Sequence, residues 1–237
     1  MNGETNGGWT RRDFVKSSAG FAAAAVASGI AVPLASAKPS RSKMDTLRVG
    51  LIGCGGRGTG AAVNSMEGSA DTQIVAMADM FKERVAGSRH ELSGMKEYAD
   101  RVKVTDETCY TGFDAYKRLL DSKDIDVVIL ATPPGFRPTH FAAAIDAGKH
   151  VFFEKPVAVD PTGIRKVMAA AKKAEEKKLC VVTGTQRRHE KVYLEAMKKL
   201  KEGAIGTIVA AEVYWNQGPL WMNKREEGWS DMEWQLR

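Results

Sequence analysis

A chain of 237 residues, 43% hydrophobic and 27% charged, has enough apolar material for one sizeable core and part of a second domain. Its net charge of +6 is modest. Lys172, Lys173, Lys177 and Lys178 interleave with Glu175 and Glu176, the pattern of a solvated helix face and not of a nucleic-acid-binding stripe. Three scattered cysteines (Cys54, Cys109, Cys180) and four histidines at no ligand spacing give neither a disulfide framework nor a metal site.

The chain opens on Thr10-Arg11-Arg12-Asp13-Phe14-Val15-Lys16, which resembles the twin-arginine export signal: paired arginines, a hydrophobic residue two positions on, then a lysine. Ser17 to Ala37 is uncharged and ends in Ala35-Ser36-Ala37, a small-residue cleavage site. The stretch is long enough to span a membrane, but its alanines with Gly20, Gly29 and Pro33 carry little transfer free energy. The expectation is a cleaved signal over residues 1–37, delivery to the periplasm by the twin-arginine machinery, and a polar linker over 38–45. Folding in the cytosol before export would keep the unpaired thiols reduced.

Leu47 to Ile52 is a short apolar run that leads directly into Gly53-Cys54-Gly55-Gly56-Arg57-Gly58, a G-x-G-x-x-G loop between a strand and a helix starting near Arg57. Gly53 suits a tight turn, Gly55 lets the backbone approach a pyrophosphate, and Gly58 lets the helix pack on the strand. The helix start offers free N–H groups and a positive dipole end to phosphates. A second apolar run, Ile74 to Ala78, ends in Asp79, placed to accept ribose hydroxyls and to repel a 2′-phosphate. The cofactor is therefore expected to be NAD, NADP being the less favoured form, with Arg57 and Lys82 as cations that soften the discrimination. Asp79 also reads as an N-cap for the helix that follows.

Alternation then continues. Helices are expected near 81–95, 113–121, 138–147 and 161–177, and strands at Val102–Val104, Val127–Leu130, His150–Phe153 and Leu179–Val182. Continuous apolar strands separated by helices mean a parallel sheet covered on both faces, an α/β doubly wound Rossmann domain over residues 46–188. No P-loop, G-x-S-x-G elbow, zincin helix or EF-hand is present.

Two further motifs sit at strand ends, where such a sheet holds its ligand. Ala131-Thr132-Pro133-Pro134 follows the fourth strand, and Glu154-Lys155-Pro156 follows the fifth after Ala147-Gly148-Lys149-His150-Val151. With the glycine loop and Asp79, they resemble the Gfo/Idh/MocA oxidoreductases. The resemblance runs from about Leu47 to Trp215, with Gly203-Ala204-Ile205-Gly206 similar to the entry into that family's second domain.

The resemblance implies a sugar or polyol substrate and hydride transfer to nicotinamide. It also implies a catalytic role for Lys155 near the reacting hydroxyl, Thr132 and Pro133 against the nicotinamide ribose, and Gln186 with Arg188 near nicotinamide and substrate. A lysine desolvated beside a cationic ring can act as a base; the alternative is a lysine that only binds cofactor ribose. Pro156 suggests a rigid turn of the kind that admits a cis peptide. His90, His140, His150 and His189 read as structural, His140 being nearest the cofactor end.

Three functional readings follow from the resemblance: a dehydrogenase, a glycosidase that uses bound NAD transiently for net hydrolysis, and a non-catalytic NAD-binding remnant. The Glu154-Lys155-Pro156 motif favours the dehydrogenase. Residues 189–237 are expected to be the incomplete beginning of an α/β substrate and oligomerisation domain, with Thr207–Trp215 as its first strand, left as an exposed edge. No histidine follows His189. Retained NAD binding with negligible turnover is therefore expected of this chain, and a homo-oligomer only of a longer version.

Overall fold

The computed structural model describes residues 46–218 and 223–237. The expected signal over 1–37 and linker over 38–45 lie outside the described residues. Six strands form one sheet: β1 (Leu47–Ile52), β2 (Thr72–Asp79), β3 (Cys109–Thr111), β4 (Val127–Leu130), β5 (His150–Phe153) and β6 (Val181–Thr183). Every pairing is parallel and the spatial order is β3-β2-β1-β4-β5-β6. This is the doubly wound order, with its switch point between β1 and β4.

Five helices cover the sheet: α1 (Gly56–Gly68), α2 (Lys82–Gly94), α3 (Ala115–Leu120), α4 (Arg137–Asp146) and α5 (Pro161–Glu176). Side chains alternate across each strand, so every apolar strand supplies two cores. On one face Val49, Leu51, Ile74, Met77 and Ile129 pack with Ala62 and Met66 of α1 and Val85 and Leu92 of α2. On the other, Ile52, Val128, Leu130 and Phe153 pack with Leu119, Phe141, Ile145 and Ala170 of α3 to α5. Start signals match the sequence: Pro161 opens α5, and the Asp160 carboxylate accepts from the Gly163 N–H at 2.6 Å.

The third strand is not at Val102–Val104. Val102 makes only an isolated bridge to Ile74, and the ladder resumes at Cys109–Thr111 against Met77–Asp79. Between them the chain closes a 3-10 turn at Asp106–Thr108, in which the Thr108 hydroxyl accepts the Thr105 N–H at 2.9 Å. The chain leaves β2 after Lys103 and rejoins it directly after that turn. The last strand begins at Val181, later than expected, because the Cys180 N–H is taken by His150 Nδ1 at 2.8 Å.

After β6 come a 3-10 turn at Gln186–Arg188 and α6 (Lys191–Lys201), none of whose residues is buried. Thr207–Trp215 forms no strand: Val209 and Val213 are each 92% exposed. A strand exists through its ladder partners, and among the described residues none lies alongside. A short helix, α7 (Asp231–Leu236), follows, capped by the Ser230 hydroxyl.

The seat of α1 depends on missing side chains. A β-carbon on Gly58 would lie 1.8 Å from the Gly53 carbonyl oxygen. Gly53 itself has φ +98°, and a β-carbon there would lie 2.6 Å from the Thr132 nitrogen. Gly58→Ala should therefore destabilise the fold by about 3 kcal/mol or more, since backbone and not a pliable side chain must move. Chemical denaturation measures it, and a loss under 1 kcal/mol would show that α1 can shift at little cost.

Candidate functional site

At the carboxyl ends of β1, β2 and β4 the sheet opens into a cavity of about 960 Å³. Its floor is the loop Gly53 to Gly58, with Asp79 from β2, Thr132 and Pro133 after β4, and Glu154 and Lys155 after β5. Of the residues singled out in the sequence for this site, Lys82, Pro156, Gln186 and Arg188 lie outside its lining. Gln186 lines an adjacent groove of about 470 Å³ that shares Arg57, Glu154 and Lys155 with the main cavity.

The loop is shaped for an anion. Helix α1 begins without a side-chain cap and without an acidic residue in its first turn, so its leading N–H groups are left for a ligand. A β-carbon on Gly55 or Gly56 would meet no protein atom within 4 Å, which leaves room above the backbone.

Asp79 holds the loop from below. Its carboxylate accepts the Cys54 N–H at 2.7 Å and the Phe81 N–H at 3.0 Å, and the residue is 7% exposed. It does not cap α2, whose N-cap is Phe81. The carboxylate instead ties the turn after β1 to the turn after β2. Burial and the Asp79 charge push the Cys54 thiol up, out of the range in which it would ionise.

Two cations organise the far end. The Arg57 Nε donates to buried Glu154 at 2.6 Å, which offsets a positive charge at a helix N-terminus. Gly184 makes this possible, because a β-carbon there would lie 2.9 Å from the Glu154 carboxylate. Arg137, 3% exposed, donates to the carbonyls of Thr132 and Pro156 and so fastens the loops after β4 and β5 together. Burial lowers its pKa. The Lys155-Pro156 peptide is cis. Lys155 is exposed at the cavity mouth.

His140 is more than a packing residue. Its Nδ1 shares a hydrogen bond with the Thr132 hydroxyl at 3.0 Å, and its ring lies 4.3 Å from that of Tyr116 inside the cavity wall. Burial first and the Arg137 charge second lower its pKa to about 4, so the ring is neutral. Sequence reasoning passed over Arg137, Tyr116 and Phe136, which carry no motif, and over the Arg57–Glu154 pair, which joins two motifs read separately. His150 bridges β5 to β6 through Cys180, as its structural reading expects.

The His140 shift has a signed consequence. The unfolded chain protonates this ring near pH 6.5 and the folded chain near 4, so its contribution to stability is intact above pH 6.5 and is lost on descending to 4. Between pH 7 and 4.5 the loss should be roughly 2–3 kcal/mol. Denaturation of wild type and His140→Gln at the two pH values tests this. An equal fall in both proteins would remove His140 as its source.

Comparison with known proteins agrees with this geometry. The Gfo/Idh/MocA model, described as an oxidoreductase family with an NAD-binding Rossmann fold, matches residues 47–183. The chain is 39% identical over 118 residues to glycosyl hydrolase family 109 protein 1 of Bacteroides fragilis, covering 49% of this chain and 24% of that protein. It is 29% identical over 161 residues to inositol 2-dehydrogenase of Salmonella paratyphi B, covering 68% and 43%. Its fold matches the crystal structure of myo-inositol 2-dehydrogenase from Lactobacillus plantarum with a TM-score of 0.57 at 25% identity, over 70% of this chain and 44% of that one. The chain thus spans less than half the length of these relatives. On the strength of the glycine loop, the parallel sheet and a family match over most of its described length, the protein belongs to the Gfo/Idh/MocA oxidoreductases through their NAD-binding Rossmann domain.

Proposed function

We propose that the cavity binds NAD and that the chain carries the cofactor half of an oxidoreductase acting on a sugar or polyol. The observation that supports this most is the convergence in one cavity of the anion-binding loop, the Asp79 carboxylate and the Lys155 ammonium. Bound NAD would supply the hydride acceptor. The chain's own residues bind and orient. Gly55, Gly56 and the start of α1 receive the pyrophosphate, Thr132 and Pro133 face the nicotinamide ribose, and Arg57 with Glu154 fixes the turn that carries Lys155. Lys155 would orient the substrate hydroxyl or take its proton, and Gln186 would flank the nicotinamide from the adjacent groove. The likeness to inositol 2-dehydrogenase favours a polyol.

Charge favours NAD over NADP. A 2′-phosphate near Asp79 meets a carboxylate, and of the two cations singled out in the sequence Arg57 is paired with Glu154, while Lys82 is exposed at the start of α2. NADH should therefore bind at least tenfold more tightly than NADPH by fluorescence titration, about 1.4 kcal/mol. Gly55→Val should fold normally and lose both, because its side chain points into open space that the pyrophosphate needs. Equal affinities for the two cofactors would sink the selectivity.

The likeness to glycosyl hydrolase family 109 proteins supports a second reading, net hydrolysis with NAD reduced and reoxidised within one turnover. Incubation with NAD and inositol, glucose or amino-sugar substrates, and separately with aryl glycosides, discriminates the two. Accumulating NADH favours the dehydrogenase; aglycone release without NADH favours the hydrolase; neither, with NADH still bound, favours a binding protein without turnover.

We also propose export in folded form through the twin-arginine pathway, a reading supported by Arg11, Arg12 and the uncharged stretch behind them. Arg11→Lys with Arg12→Lys should leave the protein in the cytoplasmic fraction of a bacterial host. Normal appearance of the double variant in the periplasm would refute the pathway.

A further inference from the structure

The carboxyl-terminal stretch of the described chain returns to the main cavity at one end. Asn223, Leu236 and Arg237 line it beside Phe81, Arg84 and Ser88, which follow Asp79. That is the ribose-and-adenine end of a dinucleotide laid along a G-x-G-x-x-G loop.

The attachment is specific. The Arg237 guanidinium lies 4.2 Å above the Phe81 ring and 4.5 Å from that of Trp229, and pairs with Glu83 at 2.7 Å and Glu233 at 2.8 Å. Its side chain is only 17% exposed. The Arg237 carbonyl accepts from Arg84 at 3.2 Å and from the Asn223 amide at 2.8 Å. The returning stretch is also tied to itself: Trp234 Nε1 donates to the Asn223 carbonyl at 2.9 Å, and Arg225 pairs with Asp231 at 2.7 Å. A planar cation held between two rings and two carboxylates fixes direction as well as distance, which a lysine in its place would not.

We propose that residues 223–237 form the outer wall of an adenosine subsite, held on α2 by Arg237, so that affinity for the adenosine half of the cofactor depends on this stretch. The proposal rests on the dinucleotide reading above. Arg237 is a positioning residue here: both of its carboxylate partners are protein groups, and what it presents to the ligand is the wall made by Leu236 and Asn223. The ligand class is an adenosine diphosphate ester, with the nicotinamide half indifferent to the wall.

Calorimetric titration of the full chain with ADP-ribose and with nicotinamide mononucleotide, which lacks the adenosine, separates these dependences. Arg237→Ala should weaken ADP-ribose by about tenfold, the order expected for losing a stacked, ion-paired guanidinium, and nicotinamide mononucleotide by less than about twofold. Hydrogen exchange of the wild type supplies a reading that needs no variant to fold: ADP-ribose should slow exchange across 223–237, and the mononucleotide should not. Unchanged ADP-ribose affinity in the variant, an equal loss for both ligands, or no protection of 223–237 in a wild type that binds ADP-ribose would overturn the wall alone. A wild type that binds no ADP-ribose would overturn the wall and the dinucleotide reading together.

Discussion

The architecture of the site depends on how near two backbones can come. Helix α1 starts so close to the turn after β1 that the Gly53 carbonyl occupies the space a Gly58 side chain would need, and the same turn abuts the Thr132 nitrogen at the start of the neighbouring loop. Three pieces of chain therefore converge without side chains between them, at the point where the sheet changes its direction of winding. An anion-binding helix start, a carboxylate from β2 and the loops after β4 and β5 become neighbours only because that convergence is allowed.

Polar groups then lock what the glycines permit. Asp79 bonds two backbone donors from different turns, Arg137 bonds two carbonyls from different loops, and Arg57 reaches from α1 to Glu154. The first two link the ends of adjacent strands, β1 with β2 and β4 with β5, and the third reaches across the end of β4 from the β1 side to the β5 side. Arg137 does so as a buried cation, which is costly unless its donors are used; its Nε is the one buried side-chain polar atom without a partner among the described residues. The cost is borne where the lysine-bearing loop must stay in register with the loop facing it.

Most of this was legible in the sequence wherever a residue type has one physical use. The glycine spacing, the apolar runs and the acid at the end of the second run fixed the doubly wound sheet, five of its six strands within about two residues, and the floor of the cavity. Misreadings have local causes. Val102–Val104 has strand composition and Val102 does bridge β2, but a capped turn at Asp106–Thr108 interrupts the run, and composition cannot register that turn. Thr207–Trp215 alternates like a strand, yet alternation describes a face and not a partner. Arg137 and Arg237 escaped notice because a solitary arginine looks the same whether it faces water or fastens two loops; only the fold shows what surrounds it.

The placement of β1 at the middle of the sheet sets the order in which the molecule can be completed. β1 is the first of the strands to be synthesised, but its partner on one side begins at Val127, far along the chain, with Val49 pairing Val127. Until that length has been made, the glycine turn has no Thr132 backbone to lean on and one flank of β1 has no ladder. Such pairings carry the loop-closure entropy of everything between them, so the ligand-binding turn forms late, although it is encoded early. Nascent chains shorter than this would expose Leu51 and Ile52, and the interval during which a chaperone has something to hold is written into the strand order.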